Sequence, residues 1–260
     1  MSLKKFQIQI SDKSLADLSY RLSNTRWPNQ IKDSNWERGT KEDDLQSIVD
    51  YWKNKYDWRK QEKELNSFSQ FQCNIDGINI HFIYEKGKGP NPIPIILTHG
   101  WPDSFLRYKK VIKMLSDPAS FGGNPNDSFD VIAPSIPGFG FSSSPEYGGY
   151  NNSQVSELWV KLMTDKLGYT KVAAAGGDMG SGITRYMALN HPELFIGIHL
   201  TDIGIIRPLL METDESKLSA IEIAYKKTAQ QWIAQEGGYM SIQSTKPQTL
   251  AYGLSDSPVR

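Results

Sequence analysis

The stretch KVAAAGGDMGSG, Lys171 to Gly182, decides how the rest of the chain is interpreted. A short apolar run leads into two glycines and Asp178, and a helix-like segment, Ile183 to Asn190, follows. Glycine two positions before and two positions after Asp178 permits a sharp, strained turn in which backbones pack closely. This layout predicts a nucleophile elbow, a strand-to-helix turn that raises one side chain above a sheet.

Asp178 stands where such elbows usually carry serine. A carboxylate that attacks carbon forms an ester, so the predicted chemistry is alkyl transfer rather than acyl transfer. A plainer interpretation is a helix N-cap, a position at which aspartate is common. The glycines on both sides and the preceding strand favour the elbow.

The segment His99 to Pro102, HGWP, follows the short apolar strand Ile95 to Thr98. Next to an elbow of this kind, the loop after the neighbouring strand supplies one backbone N–H of an oxyanion hole, and the residue after the nucleophile supplies another. We therefore predict that the amides of Trp101 and Met179 hold the Asp178 carboxylate. The alternative is an ordinary strand-end turn with a packed tryptophan.

The order of elements predicts an α/β fold, with an antiparallel start followed by a mostly parallel sheet and helices on both faces. Helices are predicted over Ser11–Leu22, Thr40–Lys55, with a buried stripe of Leu45, Ile48, Val49 and Trp52, Ser153–Leu167, and Asp214–Gln235, before a Gly-Gly loop. Strands are predicted over Phe71–Ile75, Ile78–Tyr84, Ile95–Thr98, Phe129–Ala133, Lys171–Ala175 and Phe195–Leu200. The pattern divides the chain into a helical extension (1–68), a sheet-bearing core (69–206) and a partial cap (207–260).

Composition limits the partners. The net charge is 0 and charged residues make up 22% of the chain, which argues against a nucleic-acid partner. No apolar run is as long as a membrane span, and the N-terminus lacks the apolar stretch of a secretory signal. Cys73 is the single cysteine, so an internal disulfide and a cysteine metal cage are excluded. We expect a cytoplasmic protein with no membrane anchor, no cofactor and no metal.

None of the four histidines is well placed to be a base. A base that serves an elbow nucleophile comes late in the sequence of this type of fold. His81 and His199 lie within strands, where we expect packing, His99 lies in the predicted oxyanion turn, and His191 ends a helix before proline. Asp202 follows the last strand and, without a histidine partner, is interpreted as a turn residue.

Tyr239 lies in the predicted cap segment, directly after Gly237 and Gly238. A phenol has a pKa near 10, so at neutral pH it can donate a proton to a forming alkoxide. Spacing alone favours a packed aromatic residue.

Taken together, these residues resemble the epoxide hydrolase family of the α/β-hydrolase fold, in the branch that carries an N-terminal extension. The likeness runs the whole length and rests on TRWP (25–28), YDWR (56–59), LNSF (65–68), IDG (75–77), IHF (80–82), HGWP (99–102), GGDMGS (176–181), GYM (238–240) and TKPQT (245–249). The resemblance implies that Asp178 attacks a carbon of a small-molecule epoxide while Tyr239 polarises the ring oxygen. A histidine oriented by a carboxylate then activates water, which releases a diol.

Two departures from the family affect this expectation. Met179 often corresponds to tryptophan in relatives, but only its backbone amide is needed. The family continues past the point that matches Arg260, so we expect a chain truncated within the cap, without a second tyrosine, the acid, the histidine and the last strands of the sheet. Such a chain would stop at the ester, and its exposed sheet edge would favour a homodimer.

Three other functions were weighed. A haloalkane dehalogenase also uses an elbow aspartate, but it needs an indole after the nucleophile to bind the departing halide, which Met179 lacks. An esterase would need serine or cysteine in place of Asp178. A truncated remnant that binds ligands or partners without turnover is the non-enzymatic alternative.

Overall fold

The structure, a computed structural model, describes residues 3–31, 35–202 and 214–259. Its internal contacts form two compact units, Met1–Ile8 with Glu64–Ile205, and Gln9–Lys63 with Ile206–Arg260. The first unit holds the sheet, and the second holds helices from the early and the late part of the chain. The division into 1–68, 69–206 and 207–260 stays a prediction, and its boundary after residue 206 lies outside the described residues.

The regular elements are as follows. The strands are β1 (Lys4–Lys5), β2 (Gln70–Ile75), β3 (Ile78–Glu85), β4 (Ile93–Thr98), β5 (Phe129–Pro134), β6 (Val172–Gly176) and β7 (Phe195–Leu200). The α-helices are α1 (Asp12–Ser23), α2 (Glu42–Asn54), α3 (Trp58–Leu65), α4 (Lys109–Ser116), α5 (Asn152–Lys161), α6 (Met179–Asn190), α7 (Ala220–Glu236), α8 (Gly238–Thr245) and α9 (Pro247–Asp256).

The sheet of the first unit has the strand order β1-β2-β3-β5-β4-β6-β7. Strands β1, β2 and β3 are antiparallel, and β5, β4, β6 and β7 run parallel to one another. Asp76 and Gly77 join β2 to β3 with φ of 49° and 86°, the left-handed pair that suits a two-residue hairpin turn. The predicted α/β fold, antiparallel at its start and parallel afterwards, is confirmed.

Apolar side chains cover both faces of the sheet. Ile96 and Ile132 are fully buried in one cluster with Trp159 of α5 and Ile183 of α6. Because successive side chains of a strand point to opposite faces, the buried neighbour Val131 faces the other side, where α4 packs against β5. Full burial of each such side chain stabilises the fold by about 1.5–3 kcal/mol.

Strands β4 and β6 end side by side, with Thr98 opposite Gly176. Both strands point the same way, so the loops that follow them begin at one edge of the sheet. These two loops carry the HGWP segment and the predicted elbow. The register of the sheet therefore brings together two segments that are far apart in the sequence.

The helices depart from the predicted bounds at three places. Helix α5 gives way to a π-helical turn over Leu162–Lys166, in which Leu162 and Met163 remain fully buried. Helix α7 begins only at Ala220, because Ser219 and Glu222 form a reciprocal capping box. The predicted Gly-Gly loop is wrong, since Gly237 alone separates α7 from α8 and Gly238 already lies in α8.

The predicted buried stripe of α2 is only partly correct. Val49 is buried, but Ile48 is 61% exposed. Its side chain borders an open cavity of about 890 Å³ between α1 and α2, which Leu15, Leu18 and Trp52 also line. Helical spacing identified the apolar face of α2 but not how closely its neighbour packs.

Strand β7 is the outermost strand of the described sheet, with β6 on one side. His199 is exposed, so the prediction that it packs in the interior is wrong. Ile196 and Ile198 are 55% and 42% exposed on the same strand.

Within the described ranges, no helix combines the length and the apolar character that crossing a membrane requires.

Candidate active site

Asp178 lies in the turn between β6 and α6, with φ of 56° and ψ of −125°. A non-glycine residue held in such a sparsely populated region costs about 1–3 kcal/mol and persists only where its surroundings enforce it. The turn is fastened from both sides, because Ser181 Oγ donates to Gly176 O at 2.8 Å and Ser181 N donates to Asp178 O at 3.0 Å. The Asp178 side chain is exposed at the top of this turn.

The carboxylate of Asp178 is bound by the loop that follows β4. Trp101 N donates to Asp178 Oδ1 at 2.9 Å. Asp178 does occupy the N-cap position of α6, but its side chain accepts no capping hydrogen bond, so the carboxylate is not used to cap the helix. The Met179 amide takes part in no hydrogen bond among the described residues, as expected for the first N–H of a helix. Asp178, Trp101 and Met179 thus meet at one place, while their chemical roles stay predictions.

Two glycines allow this close approach. A Cβ built on Gly100 would lie 2.8 Å from Asp178 Cγ, inside any ordinary contact distance. A Cβ built on Gly180 would overlap Thr98 O and lie 2.7 Å from His99 O. The peptide bond between Trp101 and Pro102, which completes the turn, is cis.

His99 is fully buried and links the loop that follows β4 to the loop that follows β5. Its Nε2 accepts a hydrogen bond from Ile136 N at 3.1 Å, so its Nδ1 carries the proton that is donated to Gly100 O at 2.9 Å. Burial lowers the pKa of His99. The ring is therefore neutral, with both nitrogens engaged, and it positions the backbone of the turn instead of serving as a base.

The other three histidines lie in the core, at the surface and on β7. His81 is hydrogen-bonded inside the core, and burial lowers its pKa to about 3. His191 Nε2 lies 2.9 Å from a carboxylate oxygen of Glu157 at the surface. His199 is exposed on β7 in register with Ala175. The contacts of His81 and His191 are therefore with groups other than the Asp178 carboxylate.

Two further predicted residues have the following places. Tyr239 is the second residue of α8, is 42% exposed and belongs to the second unit. Asp202 lies two residues after the end of β7, and its amide donates to Ser181 Oγ at 3.3 Å. That bond fits the interpretation of Asp202 as a turn residue that fastens the chain to the elbow.

The structure adds two residues that the sequence interpretation missed. Arg107 Nε lies 2.6 Å from Asp103 Oδ2, and the guanidinium lies against the backbone of Gly177 in the elbow. The i,i+4 spacing of Asp103 and Arg107, directly after HGWP, could have predicted the ion pair. The contact with Gly177 could not have been predicted from the sequence, because glycine has no side chain whose type would indicate a neighbour.

The residues around Asp178 also bear on metal and cofactor chemistry. Over the ranges 3–31, 35–202 and 214–259, no three His, Cys, Asp or Glu side chains are grouped in a way that could hold a metal ion. The donor to Asp178 is the backbone amide of Trp101, and an amide suits an anionic oxygen. The geometry thus offers an exposed carboxylate and a backbone donor for negative charge.

Comparison with known families gives two matches that together span most of the chain. Residues 3–108 match the family described as epoxide hydrolase N terminus. Residues 93–257 match the alpha/beta hydrolase fold.

Curated relatives agree with these matches. A putative epoxide hydrolase of Stigmatella aurantiaca is 41% identical over 97% of this chain and 57% of its own length. Epoxide hydrolase 1 of Sus scrofa is 35% identical over 99% of this chain and 60% of its own length. The chain therefore spans somewhat less than two thirds of the relatives it matches.

Solved structures show the same fold. The juvenile hormone epoxide hydrolase of the silkworm Bombyx mori superposes with a TM-score of 0.80 at 29% identity, covering 99% of this chain and 60% of that one. The epoxide hydrolase of Aspergillus niger gives 0.85 at 26% identity, covering 100% and 67%.

Proposed function

The chain belongs to the epoxide hydrolase family of the α/β-hydrolase fold, and we propose that its residues open an epoxide through an ester of Asp178. One observation carries the proposal: an exposed carboxylate on a strained elbow, bound at 2.9 Å by the Trp101 amide. An amide donor at that distance fixes one carboxylate oxygen and leaves the other free to attack.

In the first step, the free oxygen of Asp178 attacks a ring carbon of the epoxide. A carbon–oxygen bond of the ring breaks as the ester bond forms, and its electron pair goes to the ring oxygen. Proton donation to that oxygen completes a hydroxyalkyl ester, whose mass is that of the protein plus the whole epoxide. Opening of the three-membered ring drives this step without a cofactor.

Tyr239 is our proposed proton donor to the ring oxygen. A neutral phenol suits this role at physiological pH, and it is the group that the family resemblance assigns to the cap. Tyr239 is 42% exposed. Tyr239 thus supplies the proton for the ring oxygen, and Asp178 supplies the oxygen that attacks the ring carbon.

In the second step, water attacks the ester carbonyl, and the amides of Trp101 and Met179 stabilise the oxyanion that forms. The diol leaves, and Asp178 regains its carboxylate. A base must take the proton of the water, and at neutral pH histidine is the natural choice. Since His81, His99 and His191 are each hydrogen-bonded to another group, we propose that the ester of Asp178 forms faster than it is hydrolysed.

The choice of electrophile tests the proposal. The protein is incubated separately with styrene oxide, with an alkyl bromide and with a p-nitrophenyl ester, and the intact mass is recorded. We expect a mass gain equal to the whole epoxide, and little reaction with the other two probes. Transfer of the alkyl group from the bromide at a comparable rate would favour a dehalogenase, and acylation by the third probe would contradict a carboxylate nucleophile.

A further inference from the structure

We propose that the Asp103–Arg107 ion pair is a positioning device for the nucleophile, which holds the turn bearing the Trp101 amide against the elbow bearing Asp178. The inference rests on the proposed role of Asp178 and deepens it. Neither residue reaches the reacting atoms in this account. Their function is to fix the distance between a donor and an acceptor that belong to different loops.

Arg107 occupies the space that a side chain on Gly177 would need. A Cβ built on Gly177 would lie 2.6 Å from Arg107 Nη1 and would also overlap the hydroxyl of Thr201. Gly177 is buried, so the guanidinium closes one side of the elbow immediately before Asp178. Thr201 N in turn donates to Gly176 O at 3.1 Å, which fastens the opposite side.

Asp103 fixes the other end of the arginine to the HGWP turn. Its Oδ2 lies 2.6 Å from Arg107 Nε, and its Oδ1 accepts a hydrogen bond from Ser104 N at 2.8 Å. The Asp103 amide donates to Gly100 O at 3.2 Å, across the turn that contains Trp101. A displacement of Asp103 therefore moves the Trp101 amide.

A second anchor keeps the arginine in place. Tyr108 donates its hydroxyl to Thr98 O, the last carbonyl of β4, at 2.8 Å. Arg107 thus stands between a residue fastened to β4 and the backbone of the elbow that follows β6. An isolated i,i+4 ion pair at a surface stabilises a helix only slightly. Here the same pair joins two loops whose separation sets the 2.9 Å bond to Asp178.

The planar guanidinium is required for this arrangement. Nε of Arg107 pairs with Asp103 while Nη1 faces Gly177, so one rigid group serves both loops. Lysine carries a single ammonium on a flexible stem and can hold only one of the two contacts. Retention of charge alone should therefore fail to preserve the function.

The test uses the rate of ester formation on Asp178 with styrene oxide, measured over a range of epoxide concentrations. Arg107→Gln and Asp103→Asn should each lower the maximal rate about tenfold, with the half-saturating concentration unchanged, since one misplaced donor slows the step without removing binding surface. The double variant should be no slower than the slower single variant, because the pair acts as one unit. Arg107→Lys should recover less than half of the loss.

Lys161→Gln is the matched control. Lys161 pairs with Asp76 at the same 2.6 Å, and its side chain is 42% exposed, against 43% for Arg107. This variant should form the ester at the parent rate. Thermal unfolding of all variants shows whether the first unit remains folded.

Amide hydrogen exchange gives a readout that does not depend on the chemistry. Arg107→Gln and Asp103→Asn should speed exchange in the peptides that contain Trp101 and Asp178, with the midpoint of thermal unfolding unchanged. Unaltered exchange there in folded variants, or full recovery of the rate with Arg107→Lys, would overturn the proposal. A parent chain that forms no ester would defeat the proposed function, while the exchange experiment would still decide the role of the ion pair.

Discussion

Gly100→Ala is predicted to separate the nucleophile from its amide donor. The added Cβ would lie 2.8 Å from Asp178 Cγ, whereas ordinary contact begins at 3.4 Å. It would also lie 2.5 Å from Asp178 Cβ, so the side chain must move by about 0.9 Å, which stretches the 2.9 Å bond from Trp101 N toward about 3.8 Å, beyond the limit of a hydrogen bond. Loss of one donor of this kind slows a reaction by about 100- to 1000-fold.

The assay is the rate at which styrene oxide adds to the folded protein, followed by intact mass. We expect ester formation by Gly100→Ala to be about 100-fold slower, because Asp178 can relax in part. Gly148→Ala is the control, since a Cβ there meets nothing within 4 Å and the residue lies in an exposed loop. A folded Gly100→Ala protein that reacts at the parent rate would refute the reasoning.

Tyr239 and His81 each give a further prediction. Tyr239→Phe should slow ester formation about 100-fold, as expected for the loss of a positioned acid. Tyr252→Phe, at a 72% exposed residue of the same unit, is the control and should leave the rate unchanged. Equal rates for both variants would return Tyr239 to a packing role. Burial lowers the pKa of His81 from 6.5 to about 3. Between these two values the unfolded chain binds a proton at this histidine and the folded chain does not. The free energy of unfolding should therefore fall as the pH drops from 6.5 toward 3, by up to about 1.4 kcal/mol per pH unit. Urea titrations at pH 7 and pH 5 should show a smaller decrease for His81→Gln than for the parent chain, and parallel decreases would contradict this.

The sequence predicted the centre of the first unit well, because its signals are local. Glycine spacing around Asp178 indicated the elbow, and the apolar runs indicated β4, β5 and β6 to within two residues. The turn at Asp76 and Gly77 was readable from a dipeptide that favours left-handed backbone. The pairing of Trp101 with Asp178 followed from the fold type, since the loops after neighbouring parallel strands meet at one edge.

The remaining features depend on partners that the sequence does not name. Ile48 has the spacing of a buried residue, yet its exposure depends on how closely α1 approaches α2. His199 lies within a strand, yet its exposure depends on the place of that strand in the sheet. Arg107 contacts the backbone of Gly177, and a contact with backbone leaves no trace in the pattern of side chains.

The central claim is that Asp178 forms the covalent bond, and peptide mapping after reaction with styrene oxide tests it most directly. The parent protein and Asp178→Asn are treated under identical conditions, digested and sequenced by mass spectrometry. We expect one adduct, equal in mass to the epoxide, on the Asp178 side chain of the parent, and none on the same peptide of the variant. An adduct of equal yield in Asp178→Asn, or one located on another residue of the parent, would contradict it.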